Sequence, residues 1–319
     1  GTGTENIYAD RSGGVDAAYD WNLYFNAEQN FYVSGPRITA LSDNILNGGG
    51  ASMGFLPGPN ASYLRFLENQ DEDRIAYVYG SYPKTMPVST VVELSVGMPL
   101  VYSGQEVGWG LGMSNYDQRR RGVINWNYGG QSLLQPHYQK LAQIRKQFAP
   151  FWTQQQMKVA TGNISTLAHT RPLADLNGIL LTNFDSNPQT STITLSDASN
   201  VFFAGGVQNG LTYYASDVYN DTVYNVVFAS GTAALTVTLP AYGSAVLVLA
   251  DTTYSLTLPP ILDVREIPST RPREYVLEQN YPNPFNPYTK IELAVPRYGP
   301  VTLTVYNILG QEIATLVND

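Results

Sequence analysis

The segment Glu68-Asn-Gln-Asp-Glu-Asp-Arg74 places four carboxylates and one guanidinium directly after the apolar run Ala61-Ser-Tyr-Leu-Arg-Phe-Leu67. A carboxylate at the C-terminal end of a buried strand can move a proton or hold a developing positive charge. The same residues also read as a solvated acidic turn. A second loop, Gly104-Gln-Glu-Val-Gly108, carries Glu106. Glu106 reads first as a structural carboxylate that bonds neighbouring loops, and second as a catalyst. Trp21, Trp109 and Trp126 offer flat faces that suit the C–H side of a sugar ring. Trp21 and Trp126 read as core residues, whereas Trp109 stands between sugar platform and packing.

Composition narrows the chemistry. The chain has no cysteine, which excludes disulfides, thiolate nucleophiles and cysteine-based zinc sites from these 319 residues. Its two histidines, His137 and His169, cannot build a histidine-rich metal cage, and they read as ordinary positions near a helix start and in a strand. The formal net charge of −8 argues against a phosphate-binding groove, so nucleic acid is not expected as a partner. Twenty-three tyrosines and only 14% charged residues suit an extracellular protein that meets neutral polar ligands. The longest strongly apolar run, Ala245–Ala250, is too short to span a membrane and reads as a buried strand.

Three pieces must position these residues. Over 1–156, strand and helix patterns alternate. Ala61–Leu67 and Met98-Pro-Leu-Val-Tyr102 read as buried strands. Thr85–Val96 reads as a helix capped by Thr85, with Pro87 in its first turn and Val88, Val91, Val92 and Val96 on one side. Pro136–Phe151 reads as a helix with Tyr138, Leu141, Ile144 and Phe148 in one stripe. This order implies parallel βα units, with chemistry on the loops after the strands. Over 157–251, Thr190–Leu195 and Ala234–Leu239 alternate polar and apolar residues, as in an antiparallel β-sandwich. The proline-bearing stretch 252–274 reads as an extended linker, and 275–319 as a short, unfinished β module.

Four segments together resemble the alpha-amylase family, glycoside hydrolase family 13. Phe66-Leu-Glu-Asn-Gln-Asp71, with Arg74 beyond it, is similar to the family's Phe-x-Asp-Asn-His-Asp region. Gly97-Met-Pro-Leu-Val-Tyr-Ser-Gly-Gln-Glu106-Val-Gly108 resembles its last barrel strand. Arg119-Arg-Arg-Gly-Val-Ile-Asn-Trp126 resembles the stretch that follows, and Gly14-Val-Asp-Ala-Ala-Tyr-Asp-Trp21 the sixth-strand segment. The resemblance covers roughly residues 1–251. It implies the C-terminal portion of a (β/α)8 barrel followed by the family's domain C. It also implies a retaining mechanism on α-glucosidic bonds.

By that resemblance Asp71 is the carboxylate that stabilises the transition state. Asn69, Gln70, Arg74 and Trp109 become candidate substrate-binding residues, Arg74 by fixing the loop. Gln70 replaces the family's histidine, keeping hydrogen-bonding capacity without a titratable charge. No segment matches the nucleophile motif of the fourth strand. Glu5 is the one glutamate near the place of the acid/base. The chain is therefore expected to lack its catalytic pair and to be inactive alone. The alternative is a non-catalytic surface carbohydrate-binding or adhesion protein on an amylase-like scaffold.

The tail has its own resemblance. Leu277-Glu-Gln-Asn-Tyr-Pro-Asn-Pro-Phe-Asn-Pro-Tyr-Thr-Lys-Ile291 and Val301-Thr-Leu-Thr-Val-Tyr-Asn-Ile-Leu-Gly-Gln-Glu-Ile-Ala-Thr-Leu-Val317 look like the first half of a type IX secretion sorting domain. Ig-like modules related to flagellar hook capping proteins share the pattern. The resemblance implies export to the cell surface or medium, with the type IX machinery and an α-glucan as partners. It identifies no cofactor, and a calcium site, where the module carries one, belongs to the part not matched here. The expected fold is thus α/β plus all-β: partial barrel, antiparallel sandwich and partial Ig-like module.

Overall fold

The computed structural model describes residues 17–25, 31–32, 35–46, 62–153, 155–259, 274–296 and 299–318. The chain divides into two compact units, Gly1–Leu258 and Pro259–Asp319.

The first unit begins with three parallel strands, β1 (Ala17–Tyr19), β2 (Ser62–Phe66) and β3 (Met98–Leu100), adjacent in that order. Parallel neighbours require long crossovers. Helices α1 (Trp21–Leu23) and α2 (Ile38–Leu46) lie between β1 and β2, and α3 (Ile75–Tyr79) and α4 (Tyr82–Leu94) between β2 and β3. Helices α5 (Tyr116–Arg121) and α6 (Gln131–Gln147) follow β3. The parallel βα order is therefore as the sequence pattern implied. Buried Asp20 stitches the start together: one oxygen accepts from the Leu23 N–H and the other from Arg65 on β2. Arg65 also donates to the Ile45 carbonyl, which docks α2 on the sheet.

Three boundaries differ from expectation. Helix α4 starts at Tyr82 behind an extended Ser81, with Pro83 in its first turn; Thr85 instead donates to the Tyr82 carbonyl, and Pro87 lies inside the helix. Helix α6 starts at Gln131, five residues before Pro136, and a 3-10 turn, Ala149–Trp152, replaces its expected last turn. Strand β3 ends at Leu100 rather than Tyr102 and is not fully buried: Met98 is 41% exposed, and Val101, just beyond it, 40%, because β3 pairs only with β2 among the described residues. The expected stripe Tyr138, Leu141, Ile144 and Phe148 is buried.

Eight antiparallel strands follow in two layers. One sheet holds β4 (Met157–Val159), β5 (Thr166–Arg171), β6 (Asn177–Asn183), β11 (Ser244–Ala250), β8 (Thr212–Asp217) and β9 (Thr222–Val227) in that spatial order. The other pairs β7 (Gln189–Ser196) with β10 (Thr232–Leu239). Their outward threonines bond across strands, Thr190 to Thr238 and Thr192 to Thr236.

Central strands β6 and β11 are buried on both faces. Leu180, Val246 and Val248 pack with Val88, Val91, Leu141 and Ile144 of the helices. Ile179, Leu181, Leu247 and Leu249 pack with Ile193, Leu195, Leu235 and Val237 of the second layer. One sheet therefore serves two cores, which is why Ala245–Ala250 reads as an unbroken apolar run. Helix α4 packs against α6 on one side and β6 and β11 on another, so it is buried nearly all round. Each such fully buried aliphatic side chain contributes about 1.5–3 kcal/mol.

Two buried histidines span the same seam. His137 of α6 bonds Ser89 of α4 at 2.8 Å and the Tyr219 hydroxyl at 2.7 Å. His169 of β5 bonds Ser42 of α2 at 2.9 Å and the Gln156 amide at 2.8 Å. Burial pushes both imidazoles down to about 3, so both are neutral in the folded chain at neutral pH.

The segment expected as linker leaves the first unit late. The Tyr254 N–H donates to Ser216, and Gln147 bonds both the Ser255 carbonyl and the Thr257 N–H. Residues 260–273 lie outside the described residues. The second unit contains β12 (Val276–Leu277) paired with β13 (Leu293–Ala294), and β14 (Thr302–Tyr306) paired with β15 (Glu312–Asn318). The expected turn at Asn307–Gly310 closes the second hairpin. The Asn307 side chain accepts from the Leu309 and Gln311 N–H groups, and Gly310 supplies a φ of +75°.

Two predictions follow from the shared sheet. Leu180→Ala is expected to lower unfolding free energy by about 2–5 kcal/mol, with helices and sandwich losing hydrogen-exchange protection together; separate transitions for the two parts of the first unit would contradict this. The histidines act below neutrality. The unfolded chain takes up their protons near 6.5 and the folded chain near 3, so their contribution to stability falls as pH drops through that window. Buried Glu68 and Glu93, raised to about 7 by desolvation, act in the opposite sense between about 4.5 and 7. A His137→Gln/His169→Gln variant, measured against the parent by urea unfolding, should therefore lose less stability between pH 6.5 and 4.

Candidate functional site

Strand β2 delivers the chain into the acidic loop. Phe66 and Leu67 are buried, and Glu68 is only 1% exposed. Its carboxylate accepts from Arg74 at 2.8 Å and from the Ile75 N–H, the first of α3, at 2.7 Å. Glu68 thus closes the loop on itself and satisfies a helix-start donor that the N-cap residue, Arg74, leaves open. Burial raises this carboxyl, and Arg74 pulls it back.

Arg74 is 1% exposed and ties three segments together. Beyond Glu68, it donates to the carbonyls of Ser103, Arg119 and Arg120 and lies 4.3 Å over the Tyr102 ring. The loop after β3 and the end of α5 are thereby fixed against the acidic loop.

Asn69 shapes the exposed part. Its side-chain oxygen accepts from the Asp71 and Glu72 N–H groups at 2.8 and 3.0 Å, a turn that projects Gln70 and Asp71 outward. The Asp71 carboxylate is half-exposed. One oxygen pairs with Arg121 and the other accepts from Gln70, both at 3.0 Å. Arg121 also donates to the Gln70 carbonyl, so it spans the turn. Asp73 pairs with Arg119, whose guanidinium lies 3.6 Å over the Tyr77 ring. Glu68 is thus internal, Asp73 is held by Arg119, Glu72 is partly buried and accepts from the Tyr24 hydroxyl, and Asp71 is the most exposed carboxylate of the loop, with its orientation set.

The other candidates fall in several places. Asn69 and Arg74 lie beneath the loop surface, whereas Gln70 and Asp71 lie on it. Trp109 is 4% exposed and packs on Tyr128 with ring centroids 5.0 Å apart. Its indole N–H and the Asn69 side-chain NH2 are buried with no hydrogen-bond partner among the described residues. Glu106 accepts from the Gly104 N–H, a structural contact that lies within its own loop rather than to a neighbouring one. Trp126 corrects the core reading: it is 52% exposed, because it sits in a loop turn after α5 rather than on a packed element. Trp21 is partly buried against Phe66 and Phe25. Glu5 lies outside the described residues. Among the described residues, no His, Asp and Glu cluster could hold a metal ion, and no helix is long and apolar enough to cross a membrane.

Two participants had no functional reading in the sequence. Glu68 counted only as one acid of the run, although its place next to a buried strand marked it for burial. Arg121 counted only as part of an arginine run. Consecutive helix positions point about 100° apart, so Arg119 reaches Asp73 while Arg121 reaches Asp71.

Comparison with solved structures gives the fold. The chain is similar to a noncanonic maltogenic alpha-amylase from Thermotoga neapolitana, with a TM-score of 0.57 and 16% identity over 75% of this chain and 52% of that one. An alpha-amylase from H. orenii matches with a TM-score of 0.54 and 16% identity over 77% and 51%. One from Geobacillus thermoleovorans, solved with acarbose, matches with a TM-score of 0.57 and 13% identity over 78% and 51%. The fold is that of part of an alpha-amylase. The chain spans about half the length of these amylases, and at such identities the likeness is one of fold. No protein-family model matches the chain, and no curated protein matches it. The amylase-like fold agrees with the mixed α/β and antiparallel architecture expected from the sequence.

Breaking the Glu68–Arg74 pair leaves an uncompensated buried charge. Arg74→Met should therefore cost about 3–5 kcal/mol in chemical denaturation, and adding Glu68→Leu should recover most of it. A single variant of parental stability would show that the pair does not hold the loop.

Proposed function

We propose that this chain supplies the last three strands of a (β/α)8 barrel and the adjoining β-sandwich of an exported glycoside hydrolase that cleaves α-glucans with retention. The observation that carries this reading is Asp71. It is a solvent-facing carboxylate at the C-terminal end of a parallel strand, oriented by Arg121, Gln70 and the Asn69 turn. The amylase-like fold supports it, as does the exposure of Tyr19 and Met98 on a three-stranded sheet that further barrel strands would complete. Acarbose and maltose bound by neighbours of this fold support a saccharide ligand.

In this reading Asp71 holds sugar hydroxyls as positive charge develops at the anomeric carbon, and a fixed anion there stabilises the oxocarbenium-like transition state. Arg121 must share or release Asp71 when the sugar arrives. That exposed pair is weak enough to yield, worth about 0–1 kcal/mol. The nucleophilic aspartate and the acid/base glutamate would come from barrel strands that no segment of this sequence matches. Residues 275–319 would serve as an address for the type IX machinery, which places the enzyme at the cell surface or outside the cell.

The purified chain should release no sugar from maltoheptaose, and release of maltose or glucose would refute the missing catalytic pair. In the longer protein with its barrel complete, Asp71→Asn should lower kcat by about 10²-fold or more. A near-normal kcat would remove Asp71 from the mechanism.

A further inference from the structure

Where the turn between β10 and β11 meets α4 and α6, the first unit holds a cavity of about 360 Å³ that opens to solvent. Pro83 and Leu133 wall it from the helices, and Tyr219, Asn220 and Tyr242 from the sandwich, with His137 at its floor. This size falls in the range of small-molecule sites, about 300–1,000 Å³. Among the described residues, no charged side chain lines it.

The floor is rigid. Ser89 gives its hydroxyl proton to the Met86 carbonyl, so the His137 Nε2–H donates to Ser89. The His137 Nδ1 is then left to accept from the Tyr219 hydroxyl. Lys140 donates to the Tyr219 carbonyl and holds its ammonium 5.0 Å from the ring centroid. Tyr219 is thereby fixed in place.

The rim is strained. Tyr242 has a φ of +53°, a region that an aromatic residue rarely occupies. The other described non-glycine residues with positive φ are Asp175, Asp221 and Ser230, all small and polar. Tyr242 is held there by its N–H to the Asp185 carbonyl. Strain of this kind collects at ligand sites. Among the described residues, neither the Tyr242 hydroxyl nor the Asn220 side-chain oxygen takes part in a hydrogen bond, whereas the Asn220 NH2 is fully used on Asp217 and the Ser244 carbonyl.

We propose that this cavity is a second saccharide site, which takes a neutral pyranose with one ring face on Tyr242 and hydroxyls on Tyr242 and Asn220. An ionic ligand would meet no charged lining residue among those described, and the nearby Lys140 ammonium is already committed to the Tyr219 carbonyl and ring. A wholly apolar ligand would leave two polar groups unmatched. A pyranose supplies both an apolar C–H face and hydroxyls. The cavity shares no residue with the acidic loop, and only the choice of an α-linked probe rests on the proposed function.

The test is an NMR titration of the purified chain with maltotriose, and separately with cellotriose, read on the His137 imidazole and the tyrosine rings. The expected result is saturable shifts with maltotriose and a dissociation constant on the order of 1 mM, as a single ring contact allows. Tyr242→Gly suits the positive φ and so retains the fold; it should weaken binding by about tenfold or more. Binding of cellotriose alone would uphold the saccharide site and count against the α-glucan reading. No saturable shift with either sugar, or shifts equal in Tyr242→Gly, or shifts confined to the Gln70–Asp71 amides, would overturn the proposal.

Discussion

The Arg74 guanidinium, buried against Tyr102 and bonded to Glu68, Ser103, Arg119 and Arg120, is the constraint on which the candidate site depends. Its desolvation is tolerable because almost every donor finds an oxygen and the carboxylate beside it shares the charge. One side chain thus registers the loop after β2, the loop after β3 and the end of α5. Asp71 inherits its position from this frame rather than from packing of its own. The division of labour among the acids follows: Glu68 pays the cost of burial, Asp73 anchors Arg119, Glu72 accepts from the Tyr24 hydroxyl, and Asp71 is left with the most open face.

The frame in turn stands on the sheet below it. Strands β6 and β11 present alternate side chains to two cores, so the helical layer and the sandwich share one apolar interior. The buried histidines cross this seam as neutral hydrogen-bonding groups. Because burial suppresses their protonation, they join the two layers without adding charge to the interior.

Much of this was legible in the sequence where pattern and physics coincide. The apolar run before Glu68, the order of strands and helices, the alternating threonine strands and the Asn307–Gly310 turn all appear as read. Other features depend on tertiary context. Thr85 and Pro87 looked like a helix start because Ser81 and Pro83 offer the same signals one turn earlier. The one-sided valine stripe of α4 hid a second buried face, since the strands that cover it, β6 and β11, come from residues far later in the chain. Trp126 read as core because tryptophans there are more often packed in folds of the resembled kind, and its exposure follows from its loop. Glu68 and Asp71 differ only in which way a tight turn points them, and composition does not encode that.

The account's central claim is that the Asp71 turn faces a bound sugar at the mouth of a barrel. It is tested most directly by the structure of a protein in which this chain is joined to the proposed remaining barrel strands, with acarbose in the cleft. The account predicts an Asp71 carboxylate oxygen at hydrogen-bond distance, about 2.5–3.2 Å, from a hydroxyl of the ring at the cleavage point. A bound sugar elsewhere in the cleft, with Asp71 still closed on Arg121 and facing water, would contradict it.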